Sequence, residues 1–128
     1  NHTELTEESP EAKAEGPFDL EASVQGDKIK VSLGENLRIE YTDGKASLHL
    51  SESAGSGRKV RNAQIPSGKL TDIRVLADTS AVEIYLNGGE VVFSTRYYPE
   101  SLTQNVKVDA ESVHGRIYRL NFMTYTEN

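Results

Sequence analysis

The chain has 128 residues, twenty of them acidic against fourteen basic, a formal net charge of −6 and no cysteine. The charge argues against nucleic acid as the main partner, because phosphate binding needs a concentrated basic surface. The missing cysteine excludes a disulfide framework, a thiolate zinc site and a thiol nucleophile. No apolar stretch approaches the roughly 20 residues that span a bilayer as a helix.

The chain opens on Asn1 rather than Met, which predicts a part excised from a longer protein. Residues 1–17 carry Glu4, Glu7, Glu8, Glu11 and Glu15 against Lys13, with Pro10 and Pro17 as breakers. Such a segment is poor core material and is expected to be an acidic linker or frayed lead-in. Residues 18–128 are expected to form one domain.

From Phe18 the pattern changes. Phe18, Leu20, Ala22 and Val24 alternate with Asp19, Glu21 and Ser23, the period of a strand with one buried face. After Gln25-Gly26-Asp27 the alternation resumes at Ile29, Val31 and Leu33, then at Leu37, Ile39 and Tyr41. Asp43-Gly44 is a two-residue hairpin signal, followed by Ala46, Leu48 and Leu50. Four such strands in succession predict antiparallel meanders whose outer faces meet water, without giving the strand order. Residues 52–57 read as a Ser/Gly loop and 58–65 as a weaker strand. Residues 73–77 lead into a further pair of strands, Val106 and Val108 mark another, and Tyr118, Leu120 and Phe122 mark the last. Tyr41 and Tyr118 fall on apolar faces and are expected in the core. About ten short strands with no helical periodicity predict an all-β fold, an antiparallel two-sheet sandwich of lectin or jelly-roll type.

The most specific stretch runs from Ile73 to Pro99. Val82, Ile84 and Leu86 alternate with Glu83, Tyr85 and Asn87, and Asn87-Gly88 supplies residues that tolerate positive φ at a tight turn. Asp78 and Ser80 precede the strand, Asn87-Gly88-Gly89-Glu90 turns it, and Thr95-Arg96-Tyr97-Tyr98-Pro99 ends its partner. This stretch resembles the signature of the C-terminal β-sandwich of family 32 glycoside hydrolases, which include invertases, sucrose-6-phosphate hydrolases and levanases. Ala81 stands where the family often has Ser, and Gly88 where Asp is common. The likeness runs from about residue 18 to 122, leaving the family's first strand or two missing or replaced by the acidic leader.

The resemblance implies a non-catalytic module. Family 32 enzymes carry their catalytic carboxylates in W-M-N-D-P-N-G, R-D-P and E-C segments of an N-terminal propeller, and this chain has no Trp, no Cys and no Asp-Pro. The parent is expected to be a sucrose-6-phosphate hydrolase or similar β-fructosidase, retaining through a covalent intermediate, bacterial and cytoplasmic. The fragment itself is expected to be inactive, bracing the propeller and contributing to homo-oligomer contacts. Among its own residues, Asp78 reads as a turn cap and Glu83 as a surface or interface charge. Ser80, Asn87, Gly89, Arg96 and Pro99 read as structural or interface positions. His2, His49 and His114 are too scattered for a metal site, and residues 55–59 read as a loop, not a phosphate cradle. No cofactor is expected. Tyr85, Arg96 and Tyr98 are the candidates for contact with a sugar or a neighbouring domain, the domain being preferred. A free-standing carbohydrate-binding module, lectin-like or laminin-G-like, is the alternative.

Overall fold

A computed structural model describes residues 2–51, 59–97, 101 and 103–120. Tyr98, Pro99, Phe122 and the loop at 52–57 lie outside the described residues. Twelve strands are described: β1 (His2–Thr6), β2 (Glu11–Glu15), β3 (Phe18–Gln25), β4 (Lys28–Leu33), β5 (Leu37–Thr42), β6 (Lys45–Leu50), β7 (Lys59–Gln64), β8 (Asp72–Ala77), β9 (Ala81–Leu86), β10 (Val91–Arg96), β11 (Thr103–Asp109) and β12 (Ser112–Arg119). They form two six-stranded antiparallel sheets, in the orders β1-β12-β3-β8-β9-β10 and β2-β11-β4-β5-β6-β7.

The alternation read from the sequence explains most of this. In β4, β5 and β6, Ile29, Val31, Leu33, Leu37, Ile39, Tyr41, Ala46, Leu48 and Leu50 all face inward and are buried. They meet Ile73, Val75, Val82, Ile84, Leu86, Leu20 and Phe18 from the other sheet in one continuous core. Each fully buried aliphatic side chain contributes about 1.5–3 kcal/mol by leaving water. The Asp43-Gly44 corner joins Thr42 to Lys45 directly, with φ of 53° and 81° at its two residues. Both angles are positive, as a two-residue hairpin matching strand twist requires.

Three expectations are corrected. The first four strands are not one meander. β3 lies in the first sheet, between β12 and β8, and the meander is β4-β5-β6-β7. The chain changes sheet at Gly26, whose φ of 147° suits glycine and whose absent Cβ would sit 3.2 Å from the Glu111 amide nitrogen. Glu111 lies in the return crossing from β11 to β12 and donates to the Gln25 carbonyl at 2.9 Å. Two crossings thus pack side by side, and alternation carries no trace of which sheet a strand joins.

Secondly, the acidic leader forms two edge strands. β1 pairs with β12, from His2 opposite Tyr118 to Thr6 opposite His114, and β2 pairs with β11. Each sends little into the core, Leu5 from β1 and Ala14 from β2, so neither shows a run of alternating apolar residues. Their glutamates face solvent, where charge keeps an edge strand from pairing with other chains. Glu4 approaches Arg116, Glu15 approaches Arg119, and Asn105 donates to Glu11.

Thirdly, Tyr118 is not in the core. Val113, Gly115 and Ile117 take the buried side of β12 and Tyr118 lies half-buried outside, its ring 5.5 Å from that of His2. Gly115 has no side chain to show the inward phase. Its backbone comes so close to β3 that a Cβ would meet Ala22 Cβ at 3.1 Å.

On the opposite side of the sandwich the edges β7 and β10 are tied by Arg61, whose Nη1 donates to the Ser94 carbonyl at 2.6 Å. Tyr97, fully buried, donates from its hydroxyl to Gln104 Oε1 at 2.5 Å and lies 3.3 Å from the Leu33 carbonyl. Gln104 is one of two buried polar side chains among the described residues, and this contact satisfies it.

Candidate functional site

The β8-β9-β10 unit places most of the residues singled out from the sequence. Asp78 caps the turn after β8, its Oδ1 accepting from the Thr79 amide at 2.6 Å, while its own amide bonds the Ala81 carbonyl. The Ser80 carbonyl accepts from the Tyr97 amide at 3.1 Å, which draws the end of β10 onto this turn. At the other end, Leu86 pairs with Val91, so the connection is four residues long, with Gly88 and Gly89 at φ of 70° and 108°.

Asn87 does more than turn the chain. At φ 53° it aims its amide back at the loop before β8. Its Oδ1 accepts from the amides of Thr71 (2.8 Å) and Asp72 (3.1 Å) and from the Thr71 hydroxyl. Its Nδ2 donates to the Lys69 carbonyl at 2.6 Å and to Glu90 Oε1 at 3.0 Å. The sequence marked Asn87 as a turn residue. That it ties two loops together depends on fold closure and left no local signal.

Glu83 and Tyr85 lie on the outer face of the first sheet, the Tyr85 hydroxyl donating to Glu83 Oε1 at 2.7 Å. That bond, with burial and the carboxylate's charge, raises the phenol above its ordinary value. Arg96 shares this face but not the place. Tyr85 pairs with Val92, four residues from Arg96 along β10, or roughly 13 Å of strand. The cation beside Tyr85 is Arg74, its partner in register on β8.

Arg74 was missed in the sequence reading. Its Nη2 and Nε donate to the two carboxylate oxygens of Asp19, at 2.8 and 3.2 Å, and Glu21 stands 3.7 Å away. The bond to Asp19 holds the guanidinium pKa above its usual value. Asp19 and Arg74 are 55 positions apart, and nothing in either strand's pattern announces the pair. Across the sheet, Glu4, Arg116, Glu21, Arg74 and Tyr85 stand in one row on β1, β12, β3, β8 and β9. An open trough of about 700 Å³ runs beside this row, over β3 and β8.

The carboxylates whose pKa is displaced, among the described residues, are displaced downward. Glu4 is held below the ordinary carboxylate value chiefly by its bond to His2, Glu7 by the Val113 amide and Glu40 by Arg38. A general acid needs the opposite shift. His49 sits beside Ser47 and Glu40 on the outer face of the second sheet. Among the described residues no group of three or more His, Asp or Glu is arranged to hold a metal ion.

Two six-stranded antiparallel sheets, entered by repeated crossings and presenting open polar faces, define a β-sandwich of the lectin-like jelly-roll class. The C. elegans galectin LEC-6 has this fold, with a TM-score of 0.60 over 94% of this chain and 96% of that one at 11% identity. The particular family is set by sequence: residues 4–123 match the profile described as glycosyl hydrolases family 32 C terminal, and the chain belongs to that family. A Salmonella typhimurium sucrose-6-phosphate hydrolase is 53% identical over 84 residues, 65% of this chain and 17% of that protein. An Escherichia coli raffinose invertase is 30% identical over 90 residues, 66% of this chain and 18% of that protein. The sucrose-6-phosphate hydrolase of Lactobacillus gasseri superimposes with a TM-score of 0.77 at 22% identity, over 94% of this chain and 28% of that one. The chain thus spans under a fifth of the length of these two curated relatives. The family match begins at residue 4 and so takes in the end of β1 and all of β2.

Proposed function

We propose that this domain is the non-catalytic C-terminal module of a sucrose-6-phosphate hydrolase or similar β-fructosidase, bracing a catalytic propeller in the same polypeptide. The family match over residues 4–123 carries the reading, and the identity to the Salmonella enzyme favours that parent. The geometry agrees with it: Glu83, Asp78 and Glu90, the acids from Ile73 to Arg96, are engaged by Tyr85, by the Thr79 amide and by Asn87. The signature residues Asp78, Ser80, Asn87 and Gly89 then act by shaping the β8-β9-β10 unit, and Arg96 by facing a neighbouring domain or protomer. A cytoplasmic bacterial location is part of the proposal, since a sugar phosphate is ionised and its charge is too costly to carry through lipid, so it stays in the compartment where it forms. Reading the coding sequence upstream of Asn1 tests the proposal. A propeller with a W-M-N-D-P-N-G segment supports it, and an unrelated domain or an open start at this chain overturns it.

A further inference from the structure

We propose that the trough on the outer face of the first sheet is a binding site for a short neutral saccharide, held between Tyr85 and His114. Its lining includes Glu21, Asp72, Arg74, Tyr85, His114 and Arg116, together with the small side chain of Ser23. Register sets Arg116, Glu21, Arg74 and Tyr85 side by side on four neighbouring strands. At about 4.8 Å per strand this row is roughly 14 Å long, the scale of a few sugar rings.

Charge decides the ligand class. With histidine neutral, two carboxylates in the lining balance two guanidinium groups, so a phosphate or other anion gains no net attraction. A neutral polyol matches both signs at once: its hydroxyls donate to Glu21 and Asp72 and accept from Arg74 and Arg116. The ring of Tyr85 offers an apolar face to the sugar's C–H surface, the use to which amphipathic aromatic rings are suited.

The walls are also held in place before any ligand arrives. Arg74 is fixed by Asp19 through two hydrogen bonds, and the Tyr85 hydroxyl is fixed by Glu83. Side chains already ordered lose less entropy on binding, which is where weak saccharide sites fail. The comparable hollow on the second sheet differs. Its lining sets four carboxylates, Asp27, Glu40, Asp109 and Glu111, against Lys28 and Lys30, and its aromatic residue, Tyr41, is in the core with its hydroxyl on the Gly68 carbonyl.

The site is independent of the parent's activity, and binding alone tests it. The 128-residue chain, with its backbone amides followed by NMR, is titrated with sucrose, with a short fructan and separately with inorganic phosphate. Saturable shifts on β3, β8, β9 and β12 are expected with the sugars and none with phosphate. Tyr85→Ala is expected to weaken sugar affinity about tenfold, the loss of one stacked ring, and Asp72→Asn by several-fold. Tyr85→Phe retains most of it. These side chains are on the surface, and unchanged amide signals from β4, β5 and β6 report that each variant is folded. Absence of saturable shifts with either sugar overturns the proposal. So do sugar shifts that Tyr85→Ala leaves unchanged, or a response to phosphate at least as strong as to sugar.

Discussion

Asn87 shows how much one side chain can carry in a fold without disulfides. Its amide group makes five hydrogen bonds at 3.1 Å or less to Lys69, Thr71, Asp72 and Glu90, and its own backbone sits at a φ that asparagine tolerates better than most residues. Asn87→Ala loses both, and is expected to cost about 2–4 kcal/mol in urea unfolding. Asn87→Gly keeps the backbone angle and loses only the bonds, so it is expected to cost less than the alanine variant. Equal costs would mean that the bonds contribute everything and the angle nothing. Glu7 offers a second test at this scale. Its carboxylate accepts from the Val113 amide at 3.1 Å, and that bond lowers its pKa from an ordinary 4.5. A lowered folded-state pKa gives stability that is present above about 4.5 and is lost as pH falls through the folded value. Melting temperatures of the wild type and Glu7→Gln are therefore expected to differ at neutral pH and to converge in acid. A gap that persists below that range would place the contribution elsewhere.

The strands differ in how plainly the sequence announces them. β3 to β6 and β8 to β10 could be read because each puts two to four apolar side chains on one face. β1 could not, because an edge strand with Leu5 as its one buried residue looks like any acidic linker. The phase of β12 was lost at Gly115, and the sheet to which β3 belongs was hidden in a crossing at Gly26. The site was legible in part for the same reason. Asp78, Ser80, Glu83 and Asn87 lie within one continuous stretch and Arg74 joins that face across the β8-β9 pair, whereas Arg116 reaches it only because β3 is inserted between β8 and β12. Leu5 tests whether the leader is an element of the fold. Leu5→Ala leaves a void in a fully buried position and is expected to destabilise the chain by about 2–5 kcal/mol in chemical denaturation. A change under about 0.5 kcal/mol, the usual range for surface substitutions, would return residues 1–17 to the role of a lead-in.

At the scale of the whole molecule, closure gives the domain the rigidity that the proposed bracing role requires. Both pairs of sheet edges are managed, one by the charged strands β1 and β2, the other by Arg61 reaching from β7 to the Ser94 carbonyl of β10. The core is continuous between the sheets and the polar residues are displayed on two broad faces. A body of this kind can hold a neighbour or a sugar without changing shape, and Glu4, Glu7 and Glu40 are held toward the ionised state by their partners. The central claim is that sucrose chemistry belongs to another part of the parent enzyme. It is tested most directly by incubating the purified chain with sucrose and with sucrose 6-phosphate and measuring released fructose. The account predicts no release above a protein-free blank; turnover that follows the protein through successive purification steps would contradict it.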